Sequence, residues 1–181
     1  MNSIVQGWDK LEDKKKNILS KLQTKSEDEL KKSLPGEWSM IQAMRHVYLS
    51  EFFTLQYMTK KSKAGDDMKK RPFMPRLSLR ALYAVFYVRL KFKAPEVIAN
   101  PPLTSLAELE SDWKESRIRL KKFLDEYPEG WKDKAVYKHP FLGMLNIEDA
   151  VNFLNAHLQH HIRQVNRIER QIMTSDAGDN T

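Results

Sequence analysis

Two histidines one helical turn apart, His157 and His161, stand in the segment Asn155-Ala156-His157-Leu158-Gln159-His160-His161-Ile162-Arg163-Gln164-Val165. With His161 as zero and about 100° per residue, Ile147, Ala150, Leu154, Val165, Ile168 and Ile172 fall within roughly 40° of it, and His157 lies roughly 40° to the other side. Both imidazoles therefore point into the apolar stripe of a helix. Two polar rings buried side by side cost stability unless their nitrogens find partners, and a divalent metal is the partner that this i, i+4 spacing suits best. His160, at about −100° on the same wheel, falls at the edge of the stripe and reads as a supporting or surface group rather than a ligand.

Two ligands on one helix need at least one more from elsewhere in the fold. The remaining candidates of the same type are His46 and His139. His46 lies on a predicted helix whose densest apolar stripe is Ile41, Met44, Val47, Tyr48, Phe52 and Leu55, while its own side carries Gln42, Ala43, Leu49, Ser50, Phe53 and Tyr57. Both sides can be covered, so periodicity leaves the direction of His46 open. His139, followed by Pro140, reads equally as a brace at the end of a bundle or as a group beside a substrate. Trp38 reads as a hydrophobic staple or core plug ahead of a substrate contact, and Met40, Met44 and Met58 as core filler.

Positioning such a site requires long helices, and the chain has readable starts and stops for four of them, near 4–33, 40–61, 105–126 and 147–173. Ser26-Glu27-Asp28-Glu29, Ser39-Met40-Ile41-Gln42 and Ser105-Leu106-Ala107-Glu108 each have the form of a capping box, the first of them able to interrupt the first helix. Asn146 is placed to cap the histidine helix. Leu34-Pro35-Gly36 and Tyr127-Pro128 are stops. Leu77 to Phe92, rich in leucine, valine and aromatics, predicts a short extra helix between the second and third main helices, followed by an extended connector from Ala94-Pro95 to Pro101-Pro102. Gly130 to Asn146 reads as a loop without strand periodicity. The expected fold is all-α, a four-helix bundle in a single domain over 1–173, with 174–181 a disordered tail.

The absence of cysteine removes disulfides, thiolate metal sites and cysteine nucleophiles from consideration. No serine, histidine and aspartate order points to a nucleophilic triad, and no glycine-rich phosphate loop is present. The start of the chain lacks a secretory apolar stretch and no run approaches a membrane span, so the expectation is a cytoplasmic protein. A formal charge of +7 is concentrated in Lys60-Lys61-Ser62-Lys63 and Lys69-Lys70-Arg71. Acidic residues are interspersed elsewhere and no nucleic-acid signature accompanies these runs, which therefore read as solvated surface.

Trp38-Ser39-Met40-Ile41-Gln42-Ala43-Met44-Arg45-His46 resembles the first-histidine segment of the DinB-like superfamily. His139-Pro140-Phe141-Leu142-Gly143 followed by Glu148, His157, His160, His161 and Gln164 is similar to its second signature, and the order and separation of the two also agree. The resemblance spans essentially the whole chain. It implies a four-helix bundle, commonly a homodimer, with a divalent metal held by a histidine triad, which by position is His46, His157 and His161.

Some DinB-like relatives are metal-dependent transferases that join a low-molecular-weight thiol to an electrophile, and others are suspected hydrolases. The expected function is thus a divalent-metal-binding bundle, with zinc or nickel ahead of iron or manganese, acting on a small molecule as a transferase or hydrolase. The alternative is a noncatalytic bundle whose histidines form a structural or vestigial site and whose working surface is a dimer or partner interface. A third reading is an anion- or nucleic-acid-binding module using the lysine-rich connection.

Overall fold

A computed structural model describes residues 2–72, 96–140 and 142–178. The predicted extra helix at 77–92 lies outside the described residues. Helix α1 spans Asn2–Leu22, α2 Glu27–Lys31, α3 Met40–Ser62, α4 Glu96–Ala99, α5 Leu106–Asp125 and α6 Ile147–Gly178. The four long helices form a ring, in which α6 packs between α1 and α3 and α5 closes the ring between α3 and α1. Their apolar stripes meet in the middle: Leu11, Ile18 and Leu22 from α1, Met44, Val47 and Met58 from α3, Leu109, Trp113 and Leu120 from α5, and Leu154, Leu158, Val165 and Ile168 from α6. The three methionines read as filler, Met40, Met44 and Met58, are all buried.

Local chemistry sets the ends of these helices. At Ser26, Ser39 and Ser105 the hydroxyl accepts the backbone N–H three residues on, and Glu29, Gln42 or Glu108 reaches back to the cap's own N–H. Each reciprocal pair satisfies two donors that the first helical turn leaves without a partner. The box at Ser26 does divide the first predicted helix, into α1 and α2. Asn146 Oδ1 likewise accepts the Asp149 N–H at 2.9 Å and caps α6. The last helix continues through Gly178, past its expected end at Met173.

Two short elements depart from the sequence reading. Residues 137–139 and 143–145 pair as an antiparallel hairpin, with Tyr137 opposite Leu145 and His139 opposite Gly143, where a loop is expected. Strands of three residues are too short to show a period of two, and the turn depends on Gly143 at φ +70°, a conformation that side chains with a Cβ rarely adopt. The connector expected to be extended contains the single turn α4. Glu96 and Ala99 are good helix formers, and the turn stops before Pro101-Pro102 because a residue preceding proline is pushed out of the helical region.

Helix α3 is fixed to its neighbours by charge as well as by packing. The Arg117 guanidinium on α5 donates from Nε and Nη2 to the two carboxylate oxygens of Glu51 on α3, both at 2.8 Å, and from Nη1 to Glu12 on α1 at 2.6 Å. Trp113 Nε1–H donates to the same Glu51 carboxylate at 2.8 Å, and the rings of Trp8 and Trp113 lie against the guanidinium. One network, buried at Glu51 and Arg117, therefore joins α1 and α5 to α3, the helix that carries His46.

Helices α1 and α6 approach closely at Gly7, where a Cβ would lie 2.7 Å from Val151 Cγ1. Asn155 Nδ2–H donates to the Gly7 carbonyl at 2.7 Å across the same contact. Alanine gains about 1 kcal/mol in helix propensity, but overpacking a buried valine costs about 1–3 kcal/mol. Gly7→Ala should therefore lower stability by about 1 kcal/mol, as read by urea denaturation.

Candidate metal centre

The inward faces of α3 and α6 bring three histidines together, all of them buried: His46 at 4 % exposure, His157 at 7 % and His161 at 6 %. Nε2 of His157 lies 3.2 Å from Nε2 of His46 and 3.2 Å from Nε2 of His161. One ligand atom from each ring falls within 4.8 Å of the others. For comparison, two imidazoles on a tetrahedral zinc at ~2.0–2.1 Å have nitrogens roughly 3.3–3.4 Å apart. Among the described residues no carboxylate joins this cluster.

The far sides of two rings are already used. His46 Nδ1 meets the carbonyl oxygen of Ile98 at 2.9 Å, and since a carbonyl only accepts, that nitrogen carries the proton and Nε2 is bare. His161 Nδ1–H donates to Gln164 Oε1 at 2.7 Å, which leaves its Nε2 bare as well. Lone pairs facing one another at this separation repel unless a proton or a metal lies among them. A metal-free cluster can satisfy them only by sharing a proton on His157 Nε2 between two acceptors.

Burial also keeps the rings neutral. Desolvation is the largest cause lowering the pKa of all three, and for His157 and His161 the neighbouring histidines push it further, to well below the ordinary value. A neutral imidazole is the form that ligates a metal. The donor set, its burial and its fixed tautomers thus fit a divalent ion, and the cluster could hold one.

Aromatic rings surround the cluster. Trp38, just before α3, packs with its ring centroid 4.8 Å from that of His46 and 6.2 Å from that of His161. It is more than the staple expected from sequence, since it forms a wall of the site. Phe153 stacks on His157 at 5.5 Å. His160 stays at the half-buried edge, its ring against that of His161 at 4.9 Å, as the helical wheel predicts.

His139 does not join the three. It lies on the hairpin, buried, with its ring edge-on to Phe153 at 4.4 Å and its Nδ1 accepting the Leu142 N–H at 3.1 Å. It braces the end of the bundle one aromatic layer away from the cluster. Burial lowers its pKa from the ordinary histidine value of 6.5 to about 4. Because the folded value lies below the unfolded one, the unfolded chain binds more protons between pH 6.5 and 4. Stability is present in full above that window and is lost as pH falls through it, by about 3 kcal/mol for this residue. The stability curve of His139→Phe, followed by urea denaturation, should fall less steeply across the same window than that of the parent.

With the fold and the site in place, comparison with known proteins gives one result. Residues 10–165 match the profile of the DinB superfamily. The chain belongs to this superfamily. No curated protein and no solved structure matches the chain significantly. DinB membership accords with the helical bundle, and the matched span takes in α3 and the part of α6 that carries His157, His160 and His161. None of the described helices is long and apolar enough to cross a membrane.

Proposed function

We propose that this DinB protein binds one divalent metal ion through Nε2 of His46, His157 and His161 and uses it as a transferase or hydrolase acting on a small molecule. The observation that carries this reading is the convergence of three buried Nε2 atoms, two of them held bare by acceptors on the opposite side of the ring. Zinc or nickel suits such an imidazole set best, with iron or manganese as further candidates. A metal bound there supplies a Lewis acid able to make a coordinated water or thiol nucleophilic near neutral pH.

The chain's own residues provide the conditions for that chemistry. Three neutral ligands leave the ion's full positive charge for an incoming anionic group, whereas a carboxylate ligand would cancel part of it. Ile98 and Gln164 hold the two outer rings in orientation, which limits reorganisation when a ligand exchanges. Trp38 and Phe153 exclude water from one side of each ring and lower the local polarity, strengthening electrostatic effects on a bound substrate.

A small electrophile and a low-molecular-weight thiol are the substrates this reading favours, and a homodimer is the assembly it includes, to be checked by light scattering. Metal analysis of tag-free protein, followed by a screen of thiol and ester substrates with the loaded and the chelated forms, tests the function. The expected result is one divalent ion per chain and turnover that disappears on chelation. A protein that takes up no metal on reconstitution would remove the proposal.

A further inference from the structure

Gln42 stands outside the histidine cluster, yet both ends of its amide are committed. Oε1 accepts the Ser39 N–H at 3.0 Å, completing the capping box of α3, and Nε2–H donates to the carbonyl of Pro101 at 3.2 Å. An N–H faces one end and a carbonyl the other, so the orientation of the amide is fixed. Gln42 and His46 are four residues apart on α3 and share one face of it. His46 grips the same connector at the Ile98 carbonyl. The segment from Ile98 to Pro101 is therefore fastened to α3 at two points, by a glutamine that also caps the helix and by a histidine of the cluster.

We propose that Gln42 is a positioning residue of the metal centre: it latches the connector so that the Ile98 carbonyl keeps the proton on Nδ1 of His46 and leaves Nε2 bare toward His157. The free histidine side chain favours the opposite tautomer, with the proton on Nε2. If the connector moves away, that proton turns into the cluster and occupies the ligating lone pair. The consequence for affinity rests on the metal reading above, while the consequence for the ring does not.

Gln42→Glu separates the two tasks of the side chain. A glutamate still completes a capping box, as Glu29 and Glu108 do in this protein, but it brings no donor to Pro101 and sets a carboxylate against the carbonyl. In metal-free protein at about pH 7.5, where the buried rings are neutral, long-range ¹H–¹⁵N spectra should show His46 protonated at Nδ1 in the parent and a mixture including Nε2–H in the variant. Zinc affinity, measured by competition with a chromophoric chelator, should fall about 10-fold or more, while helicity of the metal-free variant stays at the parent level.

An unchanged His46 tautomer, or a zinc affinity within about twofold of a zinc-binding parent, overturns the proposal. So does a Gln42→Glu variant that loses its helical fold, because Gln42 would then act on α3 as a whole rather than on the ring. If the parent takes up no zinc while the tautomer shifts in the variant, the metal reading fails and the latch on His46 is supported.

Discussion

His46→Ala, His157→Ala and His161→Ala should each abolish the metal binding proposed for the cluster. Removing one ring leaves two imidazole nitrogens, which seldom retain a divalent ion against water, so the loss should exceed the ~10–100-fold that follows removal of an orienting partner. His160→Ala should keep metal binding, because that ring stands at the half-buried edge of α6, beside His161 and outside the three-histidine cluster. Competition with a chromophoric chelator separates the two classes. The three ligand variants should remain folded, since the core formed by the apolar stripes of α1, α3, α5 and α6 does not depend on an ion. Metal added to the parent should raise its thermal midpoint and leave those of the three variants unmoved.

Arg117→Met should be among the most destabilising single changes in the protein, by about 3–5 kcal/mol. It leaves the Glu51 carboxylate buried against Trp113 with its bidentate partner gone. The cost is that of an uncompensated buried charge rather than the value of the ion pair, so the double variant Glu51→Leu with Arg117→Met should recover most of the loss. Glu12→Gln touches the same guanidinium from a site that is 34 % exposed, and should cost no more than about 1 kcal/mol. Urea denaturation of the four proteins checks the series. A loss from Arg117→Met as small as that from Glu12→Gln would show that the network does not hold α3 and α5 together.

Much of the fold was legible because its signals are local. Each capping box occupies four consecutive residues, and the stripe on α6 repeats over enough turns to place His157 and His161 inward on a wheel. His46 was a different case. Helix α3 is buried on both the Met44–Val47 side and the His46–Ser50 side, so no period distinguishes the face that carries the ligand; the resemblance to DinB proteins pointed to it.

The acceptors that fix the rings were hidden for another reason. The Ile98 carbonyl reaches His46 across 52 positions of sequence, and a backbone oxygen has no side-chain type to read. Glu51 and Arg117, 66 positions apart, look on their own like ordinary charged residues at the edge of a stripe. The hairpin leaves little trace in the sequence because three-residue strands carry too little pattern, although Gly143, which follows the turn, is a usable sign. Trp38 was legible as an aromatic group before a helix, but its contact with two imidazoles depends on how α3 and α6 pack.

X-ray absorption at the metal edge of tag-free, zinc-reconstituted protein tests the assignment of the cluster most directly, because it reports the atoms bound to the ion without relying on activity. Three imidazole nitrogens at about 2.0–2.1 Å are expected in the parent, falling to two in His157→Ala if zinc is forced in at high concentration. A shell of oxygen atoms alone in the parent, with no imidazole scattering, would contradict a metal centre built from His46, His157 and His161.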